Sequence, residues 1–293
     1  MLLTLSACLL WGILPLYWKQ LLAVPALEIT CHRVLWCLLI TSVLLLPGGK
    51  LSLLLRSLCS PPLLLRTLCT STLLGANWLT YVWAVNADHV VEASLGYFIN
   101  PLVTVLLGVL VLKEQIRPGQ WFAMVLALCG VLCLTFAYGR FPWIALCLAL
   151  SFSSYSLLRK TAALQSLEGL FLDMLILALP GGLMIAALAT RGCSHFLAGD
   201  FWQPFLLAGT GLITALPLLL FVAGTQRLAL SLVGMLQYVA PTLQLFIGVF
   251  IYAEPFPASR LMGFSLIWVA LALFTGESLR HDPEFHPINK EKG

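Results

Sequence analysis

The chain has 293 residues, of which 60% are apolar and 10% charged, with a mean hydropathy of +0.98. A soluble domain carries about 25% charged residues, so this composition excludes a water-soluble fold and points to an integral membrane protein. The net charge of +4 is small and scattered, and is read as a topology signal rather than a nucleic-acid-binding surface.

A helix needs about 20 apolar residues to cross a bilayer. Runs of that length bounded by charge or turn signals predict ten spans: 2–18, 29–47, 67–86, 91–112, 119–138, 141–159, 168–189, 202–223, 229–252 and 261–279. The first begins at residue 2 with no basic region or small-residue cleavage site before it, so it is read as a retained helix rather than a signal peptide. The polar tail HDPEFHPINKEKG, residues 281–293, is too short for a second domain. The nine cysteines lack CxxC spacing and are read as packing residues, with neither metal nor cofactor expected.

Orientation follows from the basic residues. With the N-terminus inside, the cytoplasmic segments hold Lys50, Arg56, Arg66, Lys113, Arg117, Arg159, Lys160, Arg227, Arg280, Lys290 and Lys292, while the outer segments hold Lys19, Arg140, Arg191 and Arg260. That excess predicts both termini in the cytoplasm.

The chain also repeats itself. A shift of 140 residues lays SLGYFINPLVTVLLGVLVLKEQ (94–115) over GMLQYVAPTLQLFIGVFIYAEP (234–255), matching Pro101 with Pro241, Gly108 with Gly248 and Glu114 with Glu254. Residues 1–140 and 141–280 then form two five-helix units. An odd helix count makes the second unit enter the membrane from the opposite side, giving an inverted pair that could alternate access around a central site.

Proline inside a helix lacks an N–H and displaces the carbonyl four residues earlier. Pro101 and Pro241 therefore predict kinks, near mid-span, that release the carbonyls of Tyr97 and Gln237. The stripes Ala93, Gly96/Tyr97, Asn100, Thr104, Gly108 and Gly234, Gln237/Tyr238, Pro241, Gln244, Gly248 place small and polar groups toward a shared cavity. Tight packing with amide cross-links is the plainer alternative for the same residues. Trp11, Trp78, Tyr81, Ser154 and Tyr155, with Asn77 and Ser153 beside them, complete the expected cavity wall, whose aromatic character suits a semi-polar organic solute.

The coupling or gating candidates are Glu92, His32, Arg33 and Glu28. Glu28 and His32 stand four residues apart and share a helix face, either as a proton-carrying pair or as a packing cluster; Arg33 needs a carboxylate or carbonyls. Glu92 opens the fourth span above the first proline. Glu114 and Glu254 end equivalent helices and suggest end anchors or gate contacts.

Together LLWGILPLYWK (9–19), LEITCHRVLW (27–36), EASLGYFINPLVTVLLGVLVLKEQI (92–116), SFSSYSLLRK (151–160) and GMLQYVAPTLQLFIGVFIYAEPF (234–256) resemble RarD-type members of the EamA family in the drug/metabolite transporter superfamily. The resemblance implies ten helices, a duplicated EamA unit, a bacterial inner-membrane location and a permease role. It also brings an association with chloramphenicol, and it assigns no site residues. The expectation is a secondary transporter, an exporter of a small organic solute, lying in the lipid bilayer, with small-residue faces that leave room for a homodimer. A membrane adaptor or sensor is the rival class. An enzyme is not expected, because acidic and histidine residues are sparse and scattered, and without a nucleotide-binding loop direct ATP coupling is not expected either.

Overall fold

The computed structural model of the chain describes residues 1–48, 54–55, 59–87, 89–196, 201–253 and 258–280. The expectations for Lys50, Arg56, Glu254 and the tail lie outside the described residues.

Turn chemistry sets the helix ends. Proline opens α3 (Pro61–Asn86), α5 (Pro118–Tyr138) and α8 (Gln203–Thr225), where its missing N–H has no intrahelical partner to lose. Gly139, at φ 75°, closes α5 in the left-handed conformation that glycine adopts without strain. The other long helices are α1 (Leu2–Trp18), α2 (Ala26–Leu45), α4 (Val90–Leu110), α6 (Trp143–Lys160) and α7 (Ser166–Thr190). A broken span follows, made of α9 (Leu230–Gln237), α10 (Val239–Phe246) and a π-helical turn over Ile247–Ile251, and α11 (Ala258–Arg280) comes last.

Eight of these spans are long and apolar enough to cross a membrane, with the broken one counting as Leu230–Ile251. α3 and α6 fall short because they carry the chain's interior polar groups, among them Thr70 and Asn77 on α3 and Ser151, Ser153 and Arg159 on α6. Several of those groups bond to neighbouring helices. Thr70 donates to Asp173 at 2.6 Å, and Asn77 donates to the Leu148 carbonyl at 2.9 Å. Large apolar side chains such as Leu39, Val43, Phe122, Leu128, Leu183 and Phe205 stand exposed on the outside of the bundle, the surface a lipid bilayer covers.

Packing is paired across the two halves of the sequence. α2 lies on α7, α4 on α9, and α5 on α11. The contact of α1 with α8 is matched by that of α6 with α3, α2 on α8 by α7 on α3, and α4 on α6 by α10 on α1. Among the described residues, the non-glycine positions with left-handed backbone are Lys113 (φ 55°) and Ala253 (φ 52°). They stand 140 residues apart, each just before one of the matched glutamates.

Matched prolines have unequal effects. The ninth span breaks at Tyr238, directly after the residue whose carbonyl Pro241 displaces. α4 runs through Pro101 without interruption. There α9 presses closely, since a Cβ on Gly234 would lie 2.6 Å from the Pro101 carbonyl oxygen.

Candidate solute cavity

A partly enclosed cavity of about 660 Å³ lies between α1, α2, α3, α4, α8 and the broken ninth span. It reaches the α1–α2 connection, where every residue from Leu21 to Ala26 lines it, and the last turn of α3 at Val85. Its apolar walls include several aromatic rings. Trp11 lies 5.1 Å from Phe221 and 5.7 Å from Phe152 between ring centroids, and Tyr81 meets Tyr97 edge-on at 6.1 Å. Tyr97 is 42% exposed despite its place near the middle of the sequence of α4, because its ring faces this space.

Asn100 and Gln237 form the floor. The Asn100 side-chain amide donates to Gln237 Oε1 at 2.8 Å, and Ser153 Oγ donates to Asn100 Oδ1 at 2.7 Å. Thr104 Oγ1 joins them, 2.9 Å from Ser153 Oγ. Both amides line the cavity and both are buried, so each is cavity wall and interhelical cross-link at once. Gln237 Nε2 is buried and left without a hydrogen-bond partner.

Beyond the floor the helices are tied together. Glu114 accepts hydrogen bonds from the backbone N–H groups of Leu230 at 2.5 Å and Ser231 at 2.8 Å, capping the start of α9. A carboxylate is favoured there by the unpaired N–H groups and the helix dipole. Lys160 donates to the Leu228 carbonyl, and Gln226 donates to the Leu164 carbonyl at 2.8 Å. Nearby, Arg159 forms a buried ion pair with Asp173, and Gly169 leaves the room its guanidinium occupies. Of these tying residues, none lines the cavity.

Several expected site residues stand elsewhere. Ser154 does not line the cavity, and its neighbour Ser153, a helical step of about 100° away, is the one that reaches Asn100. Tyr155 is fully buried beside Arg159, at 5.5 Å in a cation–π arrangement, rather than in the cavity wall. Tyr238 is fully buried in the apolar cluster of α4, α5 and α11 rather than in the cavity wall. Glu92 accepts from the Ile144 N–H at 2.8 Å at the start of α6 and does not reach the cavity. Glu28 does not pair with His32; its carboxylate accepts from the His195 N–H at 2.8 Å and lies 2.8 Å from His195 Nδ1, while His32 stacks on Phe196. The fold carries the segment after α7 onto Glu28, which local spacing does not reveal. Trp11, Trp78, Tyr81, Tyr97, Asn100, Gln237, Arg33 and Pro241 do line the cavity.

Residues 1–136 match the EamA-like transporter family. The chain is 42% identical over 271 residues to "Protein RarD" of Streptomyces exfoliatus, covering 92% of this chain and 86% of that protein. It is 40% identical over 278 residues to "Protein RarD" of Escherichia coli (strain K12), covering 95% and 94%. This chain belongs to the RarD group of the EamA family. A solved structure superposes with a TM-score of 0.71 at 20% identity, over 94% of this chain and 97% of that one, a likeness of fold alone. Within this RarD-type chain, sequence reasoning missed Trp18, Thr214 and Phe152 as cavity wall. A tryptophan at a helix end reads as an interfacial residue, and Phe152 reads as ordinary core.

Proposed function

We propose that this chain is a secondary permease that moves a small organic solute outward across the bacterial inner membrane, by alternating access at a cavity between two inverted five-helix halves, 1–140 and 141–280. The observation that carries the reading is the one-ended cavity: it involves both halves, reaches the surface at the α1–α2 turn, and stops at the Asn100–Gln237 bond. The reciprocal packing of the spans and the equivalent left-handed residues Lys113 and Ala253 support the inverted relation. With both termini in the cytoplasm, as the distribution of basic residues favours, the open end faces outward and the tied end inward.

Alternating access then exchanges the tied end for the open one while the floor amides stay central. Chloramphenicol is the first solute to test, through the association that the family resemblance carries. Cells expressing wild type at matched membrane levels should accumulate less labelled drug than empty cells, and Asn100→Ala or Gln237→Ala should abolish the difference. Equal accumulation in all of them removes chloramphenicol as the solute, and counterflow of metabolites in proteoliposomes then searches for another. Repeating the measurement with a protonophore reads proton coupling, for which Glu28 with His195 is the candidate carrier. Single cysteines at Lys113 and Ala253 in a cysteine-free background should label from opposite sides of the membrane; labelling from the same side sinks the inverted arrangement.

A further inference from the structure

Arg33 is the one charged side chain among the described residues lining the cavity. It stands seven residues into α2, about 10 Å along the helix axis. An ionised group at such depth is costly unless a partner or water neutralises the site. Among the described residues, no carboxylate pairs with Arg33. Its Nε–H donates to Thr214 Oγ1 at 3.0 Å, and its guanidinium carbon lies 4.5 Å from the Trp78 ring and 5.2 Å from the Trp18 ring. Two phenols, Tyr81 and Tyr97, line the same cavity.

These contacts dispose of part of the guanidinium. Rings lie against it and Thr214 holds the ε nitrogen, leaving the two terminal nitrogens as the fork that a carboxylate fills with parallel hydrogen bonds. A second, independent observation is the buried and unpartnered Nε2 of Gln237, a residue that lines the floor. The remaining wall is mostly apolar, with the rings of Trp11, Tyr81 and Tyr97 among its aliphatic side chains.

We infer that the cavity takes an organic monoanion, a carboxylate on a flat apolar body, with Arg33 as the residue that binds the carboxylate. One cation in an otherwise neutral wall balances one negative charge; a doubly charged phosphate would leave an excess charge among aromatic rings. The inference rests on the permease reading for its transport consequence, but the binding site it describes is tested without transport. It favours a metabolite over a neutral drug.

The test is calorimetric titration of the purified full-length protein in detergent with phenylacetate, its neutral isostere phenylacetamide, and phenethylamine. Wild type should bind phenylacetate at least about tenfold tighter than the amide, the ratio expected of charge-assisted hydrogen bonds, and should not bind the amine. Arg33→Gln should remove the preference for the carboxylate, and Arg33→Lys, which keeps the charge but not the fork, should retain part of it. The wild-type series decides the charge preference even where a variant fails to fold. Equal affinity for acid and amide, tighter binding of the amine, or no binding of phenylacetate overturns the proposal. Proteoliposome counterflow separates the two readings. Binding of phenylacetate without its exchange leaves the anion site standing and removes the permease; exchange of phenylacetamide by wild type and Arg33→Gln alike does the reverse.

Discussion

The two ends of the bundle are held in different ways. At one end, side chains tie helix to helix: Glu114 to the start of α9, Lys160 to the Leu228 carbonyl two residues before it, and Arg159 to Asp173 on α7. At the other, α1, α2, α3 and α4 stand around a cavity of about 660 Å³ whose wall is mostly apolar and includes several aromatic rings. The difference teaches where the free energy of this conformation resides. Packing is reciprocal between the halves, so helix-on-helix burial gives little reason to prefer one end open over the other, and the bias falls to polar contacts present at the tied end.

Predictions that break this contrast can be ranked. Asp173→Ala has the largest expected effect, because it strands Arg159, which is only 4% exposed, without its counter-charge. Loss of one partner from a buried pair costs about 3–5 kcal/mol, to be read as a fall in melting temperature and in folded yield in detergent. Gly234→Val comes next. Its Cβ would meet the Pro101 carbonyl oxygen at 2.6 Å, forcing α4 and α9 apart at a cost of about 1–3 kcal/mol, again read from melting.

Glu114→Gln should cost less, about 1–2 kcal/mol, since an amide still offers one acceptor to the α9 N–H groups while the charge-assisted contribution is lost. Its more telling effect is on the balance of states. A cysteine placed at Ser231 should react faster with a membrane-impermeant thiol reagent applied at the tied end once Glu114 is changed, and an unaltered rate would remove this contact from the closure. The smallest effect sharpens the contrast from the cavity side. Ser153→Ala should cost about 1 kcal/mol through its bond to Asn100, whereas Ser154→Ala should stay within about 0.5 kcal/mol and leave transport unchanged, both measured by melting and counterflow.

Helices, the membrane setting and the floor of the cavity were legible in the chain because each rests on local chemistry. Apolar run length gives the spans, and a proline preceded by an amide marks a mid-helix position where polar groups gather. The sequence stripe placed both Gln237 and Tyr238 toward the cavity; Gln237 lines it, while Tyr238 enters the apolar core, adjacent helical residues pointing about 100° apart. Ser153 and Ser154 pose the same problem at the scale of one helical step. α3 starts at Pro61 rather than near residue 67 because the prolines that look like a loop are the first turn of the helix. What the sequence concealed depends on distant segments meeting. Glu28 and His195 lie 167 residues apart, and the rings against Arg33 come from α1 and α3. Spacing along one helix carries no information about such partners.

The contact of Glu114 has a consequence for how this end tolerates sequence change. Its partners are main-chain N–H groups, which every residue except proline supplies, so substitutions at Leu230 and Ser231 leave the donors where they are. The closure is thus specified from one side only: the carboxylate at 114 must be kept, while the opposing positions are free to drift as the packing around them changes. Proline at 230 or 231 is the exception, and it would remove a donor while leaving the helix start geometrically intact.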